Sequence, residues 1–235
     1  MNREHIEKIA KTPEDRMLLA KLWDKIQIGI RRNIPTNTCF LTLHEQEMAR
    51  YLFGQQDGLF WFGGYENAER KMLCYLPEYC NYDCLYDEDA PVVCLRASFY
   101  QGASPNHRDF LGALIGCGLS RDVIGDICIS QGSCDFFVTQ EIAPFILQNF
   151  SSAGRVKVST TQIPLRSAMI PTPEFKEIHD TLASTRLDAV IASGFRIGRS
   201  LSAQYITGGK SAVDGLPCEK PDKAITEGSI VSVRG

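Results

Sequence analysis

The order in which apolar spacing changes between residues 91 and 165 limits the fold of this chain more tightly than any other feature. PVVCLRASFY, from Pro91, is rich in β-branched and aromatic residues, which predicts a strand. SPNHRDFLGALIGCGL, from Ser104, has helical spacing, with Ser104 as the expected cap, Pro105 in the first turn and Gly118 near the stop. IGDICISQGSCDFFVTQ, from Ile124, holds two strands that meet at Gln131-Gly132-Ser133. EIAPFILQNFSSAG is a second helix in which Pro144 must sit in the first turn, and VKVSTTQIPL alternates as a closing strand. Strand, helix, strand, strand, helix, strand is the ferredoxin-like order, with two helices on one face of a four-stranded sheet. Residues 81–168 are expected to form such a domain.

The RNA-recognition motif has this layout and stacks bases on aromatic side chains of the open sheet face. Phe136 and Phe137 are adjacent, so they point to opposite sides of their strand and at most one is available for a base. His107, Arg108 and Arg121, around the first helix, are secondary candidates for RNA contact. Topology alone does not decide function.

The flanks read differently. In EDRMLLAKLWDKIQIGIRRN, Met17, Leu18, Leu22, Ile26 and Ile30 recur at helical steps, and IPTNT at 34–38 breaks the pattern. Thr42 followed by Glu45 starts a second helix through a capping box. GLFWFGGYE and AERKMLCYLPEY read as two strands, with Phe60, Trp61 and Phe62 taken as core in preference to a base-stacking platform. Residues 1–80 are thus expected as a mixed helix/strand domain, followed by the acidic connector YDEDA at 86–90. MIPTPEF, from Met169, is a proline-bearing linker to a third unit, 174–235. The predicted fold class is α+β, multidomain.

Composition excludes several functions. A net charge of −3 argues against a protein that coats nucleic acid with its whole surface, yet residues 181–235 carry 7 basic and 5 acidic side chains. The 9 cysteines are odd in number and follow no secretory signal, so reduced thiols in the cytoplasm are expected. Cys74, Cys80 and Cys84 have loose spacing and no histidine nearby, a poor zinc set. No apolar run reaches the ~20 residues of a membrane span. No cofactor and no metal are expected, and the free chain is expected to be monomeric.

The net positive segment is the tail. Leu187, Val190 and Ile191 share a helical face, and Gly194 is expected to end that helix in a left-handed cap. A second helix runs from Arg199 to about Thr207, stopped by Gly208-Gly209. Ser211-Ala212-Val213-Asp214-Gly215 is a strand entering a tight turn, and IVSV closes the unit. The two helices place Arg196 and Arg199 at a corner beside the amides of a helix N-terminus, a geometry that binds phosphate, with Arg186 and Lys210 bordering it.

The residue order RLD, R-x-G-R-S, I-x-x-G-K, V-D-G and E-G-S-I-V-S-V resembles the S-four RNA-binding domain over about 50 residues. GGYENAERKMLCYLPEY, HRDFLGALIGCGLSRDVIGDI and the tail together look like the YlmH family of bacterial RNA-binding proteins, over nearly the entire chain. That resemblance implies an N-terminal domain, a ferredoxin-like RNA-binding domain and a C-terminal S-four-like α/β domain. It implies a non-catalytic role in ribosome-associated quality control, with ribosomal RNA and tRNA on the large ribosomal subunit as partners. By position it implies that Arg186, Arg199, Ser200, Gln204 and Lys210 contact RNA. Gly198, Leu201 and Asp214 depart from the usual serine, lysine and asparagine. Members commonly continue beyond R-G, so Gly235 is expected to mark a truncated end.

Enzyme readings have less support. Pseudouridine synthases share RLD, with a nucleophilic aspartate, but Asp188 lacks the threonine-glycine context. GCGLSR at 116–121 lacks the third glycine of a methyltransferase-type loop and follows a helix. No nucleotide-binding signature of a synthetase is found. His5, His44, His107 and His179 are scattered. The remaining alternative is a protein-binding adaptor linked to cell division, whose acidic first segment meets a basic partner.

Overall fold

Two capping boxes organise the N-terminal segment of the computed structural model. The described residues are 3–87, 90–172 and 175–234, so Glu88 and Asp89 of the connector, Pro173 and Glu174 of the linker, and Gly235 lie outside them. α1 (Arg3–Ile9) leads to α2 (Pro13–Arg32), where the Thr12 hydroxyl accepts the Asp15 N–H at 3.1 Å and the Asp15 carboxylate accepts the Thr12 N–H at 3.1 Å. Leu19, Leu22 and Ile26 form its buried stripe, while Met17, expected on that stripe, is 57% exposed. After β1 (Thr36–Asn37), α3 (Leu43–Phe53) starts at the Thr42/Glu45 box expected from the sequence. β2 (Leu59–Phe62) and β3 (Met72–Tyr75) complete an antiparallel sheet of order β1-β3-β2.

The next segment runs β4 (Val92–Ser98), α4 (His107–Gly116), β5 (Ile124–Ser130), β6 (Ser133–Thr139), α5 (Ala143–Asn149), a short hairpin of β7 (Ser152–Ala153) and β8 (Val156–Lys157), and β9 (Ser159–Ile163). The cap of α4 is Asn106, not Ser104. Asn106 Oδ1 accepts the Arg108 and Asp109 N–H groups, and the Asp109 carboxylate returns the bond to the Asn106 N–H at 2.8 Å. Only Asn106 has an acid three residues on, which decides the choice. The four long strands pair antiparallel in the order β5-β6-β4-β9.

One face of this sheet is covered by helices, and the other is covered over its apolar part, leaving Ser98, Ser159 and Thr161 exposed. Leu95, Ala97, Phe136 and Val138 pack with Phe110 and Leu114 of α4 and Ile146 of α5. On the other face Cys94, Cys128 and Phe137 share a core with Phe40, Phe62, Met72 and Leu85. Tyr65 lies over Phe137 with ring centroids 5.1 Å apart. At Gly64, φ is +97° and a Cβ would stand 2.4 Å from the Phe137 ring, so only glycine lets the loop approach so closely. Farther along, Arg96 grips Asp135 with two bonds of 2.7 and 2.6 Å, and Asp135 also accepts the Met169 N–H, which draws the 164–169 segment across the same face. Phe137 is fully buried and is not available to a base. Exposing Phe137, Phe62 and Met72 costs roughly 1.5–3 kcal/mol each, against about 1–3 kcal/mol returned per stacked base.

The chain divides into two compact units, Met1–Thr172 and Pro173–Gly235, and the segments on either side of residues 80 and 81 share a core within the first. In the second unit, α6 (Leu187–Gly194) and α7 (Arg199–Thr207) pack Leu187, Ile191 and Ile206 against β10 (Ser211–Val213), which pairs with β11 (Leu216–Pro217) and β12 (Val231–Val233). Asp214 and Gly215, at φ +52° and +76°, make the two-residue turn between β10 and β11. Asp214 tolerates this conformation, and its carboxylate accepts the Ile230 N–H at 2.7 Å.

Candidate nucleic-acid interface

In the second unit a single carboxylate organises the arginines. Arg186 stands at the N-cap of α6 and turns its guanidinium onto Asp188, with Nε and Nη2 each 3.1 Å from a carboxylate oxygen. Arg199, the first residue of α7, donates to the same two oxygens at 3.3 and 3.2 Å. The Asp188 side chain is 7% exposed, whereas those of Arg186 and Arg199 are 41% and 59% exposed. Hydrogen bonding to Arg186, reinforced by Arg199, holds the Asp188 carboxyl down at about 2. The same bond raises Arg186 above its ordinary value. Ser202 locks the helices together by donating to the Asp188 carbonyl at 2.8 Å. The two guanidiniums therefore leave about one net positive charge, fixed at a helix junction.

The helix termini differ from expectation. The first amides of α6 are taken, Leu187 N–H by the Lys223 carbonyl and Asp188 N–H by that of Pro221. α7 begins at Gly198 with no side-chain cap, so its first turn retains the donors suited to an anion. Gly194 is the last helical residue of α6 and not its left-handed cap. Arg196 takes the left-handed position at φ +54°, with its N–H bonded to the Ser193 carbonyl and the Ile197 N–H bonded to that of Ala192. This is a Schellman closure with arginine where glycine is usual. Its side chain is exposed and makes no ion pair among the described residues. Ser200 and Gln204 are exposed one turn apart on α7, and Lys210 lies over the Tyr205 ring at 5.2 Å. Leu201 is 41% exposed and supplies no charge.

The second group of expected residues does not form one open basic surface. His107 titrates below its ordinary value, because of burial and then the Arg121 charge. Arg121 belongs to a junction: its carbonyl accepts from Arg70 Nη2 at 3.1 Å, and its Nη1 is buried without a hydrogen-bond partner. Arg70 also donates to the Ile124 carbonyl, and Asp126 accepts from Tyr65 Oη, Glu69 N–H and Arg70 N–H. The sequence GGYENAERK is thus tied to IGDI by a polar clasp, a structural role that sequence spacing does not reveal. Of the three candidates His107 and Arg108 are exposed and without an ion pair among the described residues, and of these two Arg108 carries the permanent charge. The bridging role of Asp188 was also missed, although a carboxylate two residues after Arg186 and eleven before Arg199 is a signal for it.

Among the described residues, no group of three His, Cys, Asp or Glu side chains is placed to hold a metal ion. No described helix is long and apolar enough to cross a membrane. Helices and antiparallel sheets in two compact units define a mixed α/β protein. A family model described as "Putative RNA-binding domain in YlmH" matches residues 100–167. "Ribosome-associated protein quality control protein P2" of Bacillus subtilis (strain 168) is 34% identical over 200 residues, 84% of this chain and 77% of that protein. The chain belongs to the YlmH family. The structure titled "Cell division protein ylmH from Streptococcus pneumoniae" matches at a TM-score of 0.52 and 20% identity, covering 67% of this chain and 95% of the other. That likeness concerns the fold.

Proposed function

We propose that the protein is a non-catalytic RNA-binding factor that contacts ribosomal RNA and tRNA on the large ribosomal subunit, in the cytoplasm, during quality control of stalled nascent chains. The observation that carries this reading is the match over 84% of the chain to a relative named for ribosome-associated quality control. The geometry supports it. Arg186 and Arg199 are held outward by Asp188, the α7 amides lie beside them, and Arg196, Ser200, Gln204 and Lys210 supply further donors. On this reading the second unit is an S-four-like domain, and the β5-β6-β4-β9 sheet with its two helices is a ferredoxin-like domain. Asp188 pairs with arginines, which supports holding RNA over altering it.

A few cations grip RNA only weakly, with non-specific dissociation constants of ~10⁻⁴–10⁻⁶ M. Linking two weak sites raises avidity by about 10²–10⁴ when their spacing fits. Sedimentation of the intact chain with purified large subunits carrying tRNA tests the reading. The wild type is expected to co-sediment, and Arg186→Ala/Arg199→Ala/Lys210→Ala to remain largely in the supernatant. Equal co-sedimentation of both, with the fold intact by circular dichroism, refutes it.

A further inference from the structure

In the span matched as an RNA-binding domain the aromatic part of the sheet is covered, and the exposed end of that face, at Ser98, Ser159 and Thr161, carries neither a ring nor a charge, which turns attention to the exposed cations. Its basic residues are His107, Arg108, Arg121, Arg155, Lys157 and Arg166. Arg121 is half-buried, with its Nη1 shut away from solvent, and Arg166 pairs with Asp83 at 3.2 Å while lying over Tyr86 at 5.1 Å. Arg108, Arg155 and Lys157 remain exposed and without an ion pair among the described residues.

The β7–β8 hairpin brings these three to one place. Ser152 pairs with Lys157 and Ala153 with Val156, which leaves Gly154-Arg155 as a two-residue turn. Ala153 is buried, whereas Ser152 and Lys157 face out. Gly154 has φ +59°, and a Cβ there would stand 2.9 Å from Asp109 Oδ1. The hairpin tip therefore rests on the first turn of α4, and only glycine allows both the backbone and the approach. Arg155 adjoins Gly154 in sequence, and Arg108 adjoins Asp109. Asp109, the acid at this contact, is committed to the Asn106 N–H. Residues 110–119 and 142–154 contain no acid that would repel a polyanion.

From this arrangement, and resting on the RNA-binding reading above, we propose that Arg108, Arg155 and Lys157 form a second RNA site. It takes the phosphodiester backbone, without stacking of bases. Arg108 and Arg155 supply guanidinium forks that suit phosphate oxygens, and Lys157 adds a mobile point charge. The hairpin is thus the device that converts the α4 end into a polyanion surface.

The test uses the full chain and fluorescein-labelled poly(U) of about 20 nucleotides, titrated by anisotropy across about 50–200 mM KCl. Each phosphate contact on a single strand contributes about 0.7 to the slope of log affinity against log salt. Arg108→Ala/Arg155→Ala/Lys157→Ala is expected to weaken binding at least about tenfold at the lowest salt and to reduce the slope by about 2. Arg108→Lys/Arg155→Lys/Lys157→Arg is expected to keep the wild-type slope. An alanine variant with wild-type affinity and slope, beside a tail variant that loses binding, overturns this site and leaves the RNA-binding reading standing. Lost affinity at an unchanged slope also overturns it, because phosphates were not the contact. If the wild type itself fails to bind, both ideas fall.

Discussion

Replacing Asp188 by asparagine removes the charge that two arginines share and keeps the side-chain volume. A carboxyl held at about 2 instead of 3.8 contributes roughly 2.4 kcal/mol at neutral pH if fully shielded from water. Arg186 and Arg199 are 41% and 59% exposed, so screening reduces this to about 1 kcal/mol. Trp23 and Trp61 both lie in the first unit, so fluorescence does not follow the second. Amide hydrogen exchange of α6 and α7 in the full chain does. The variant should exchange about fivefold faster there at pH 7, with unit Met1–Thr172 unchanged. Because the folded carboxyl is depressed, its stabilising contribution is complete above about pH 4–5 and is lost as pH falls through 3.8 toward 2. Wild type and variant should therefore converge at the acid end, once intrinsic exchange rates are corrected. Identical exchange at pH 7, or a difference that persists undiminished at pH 2, refutes the shared-carboxylate argument.

Other outcomes follow from the same structure. Arg196→Gly removes left-handed strain and should stabilise the second unit by up to ~1 kcal/mol in hydrogen exchange, while weakening RNA binding in anisotropy titrations. Asp126→Ala deletes three bonds at the clasp and should destabilise the first unit by about 2–4 kcal/mol, read from denaturant titrations of Trp fluorescence. Burial pushes the thiols of Cys74 and Cys94 up to about 12 and that of Cys128 to about 11. Iodoacetamide on the native protein at pH 8 should label Cys84 and Cys117 well before these three, as read by mass spectrometry. Limited proteolysis should cut between about residues 169 and 175 first and release a stable C-terminal fragment.

Local rules made much of this fold legible. The Thr42 start, the β5–β6 hairpin and the α6–α7 pair all depend on spacing within a few residues. Asn106 was legible in principle, since its capping partner Asp109 is three residues on, but Ser104 followed by proline obscured it. Arg196 was not, because propensity favours glycine at a left-handed position and tertiary packing of Ile197 overrides it. The β7–β8 hairpin has two residues per strand, too few to show alternation. The covered sheet face was the largest surprise. It depends on residues 40, 62 and 72 meeting 94, 128 and 137, a long-range contact that periodicity does not encode. The candidate arginines of the tail were readable by type and position, but Asp188, which holds two of them, gains its role only when α7 folds back onto α6.

The central claim is that this surface holds RNA on the large ribosomal subunit. Ultraviolet crosslinking of the full chain in living cells, with sequencing of the attached RNA, tests it most directly. Crosslinks are expected to concentrate in large-subunit ribosomal RNA and tRNA and to fall sharply in Arg186→Ala/Arg199→Ala/Lys210→Ala. Crosslinks distributed in proportion to the abundance of all cellular RNAs, or undiminished in that variant, would contradict the account.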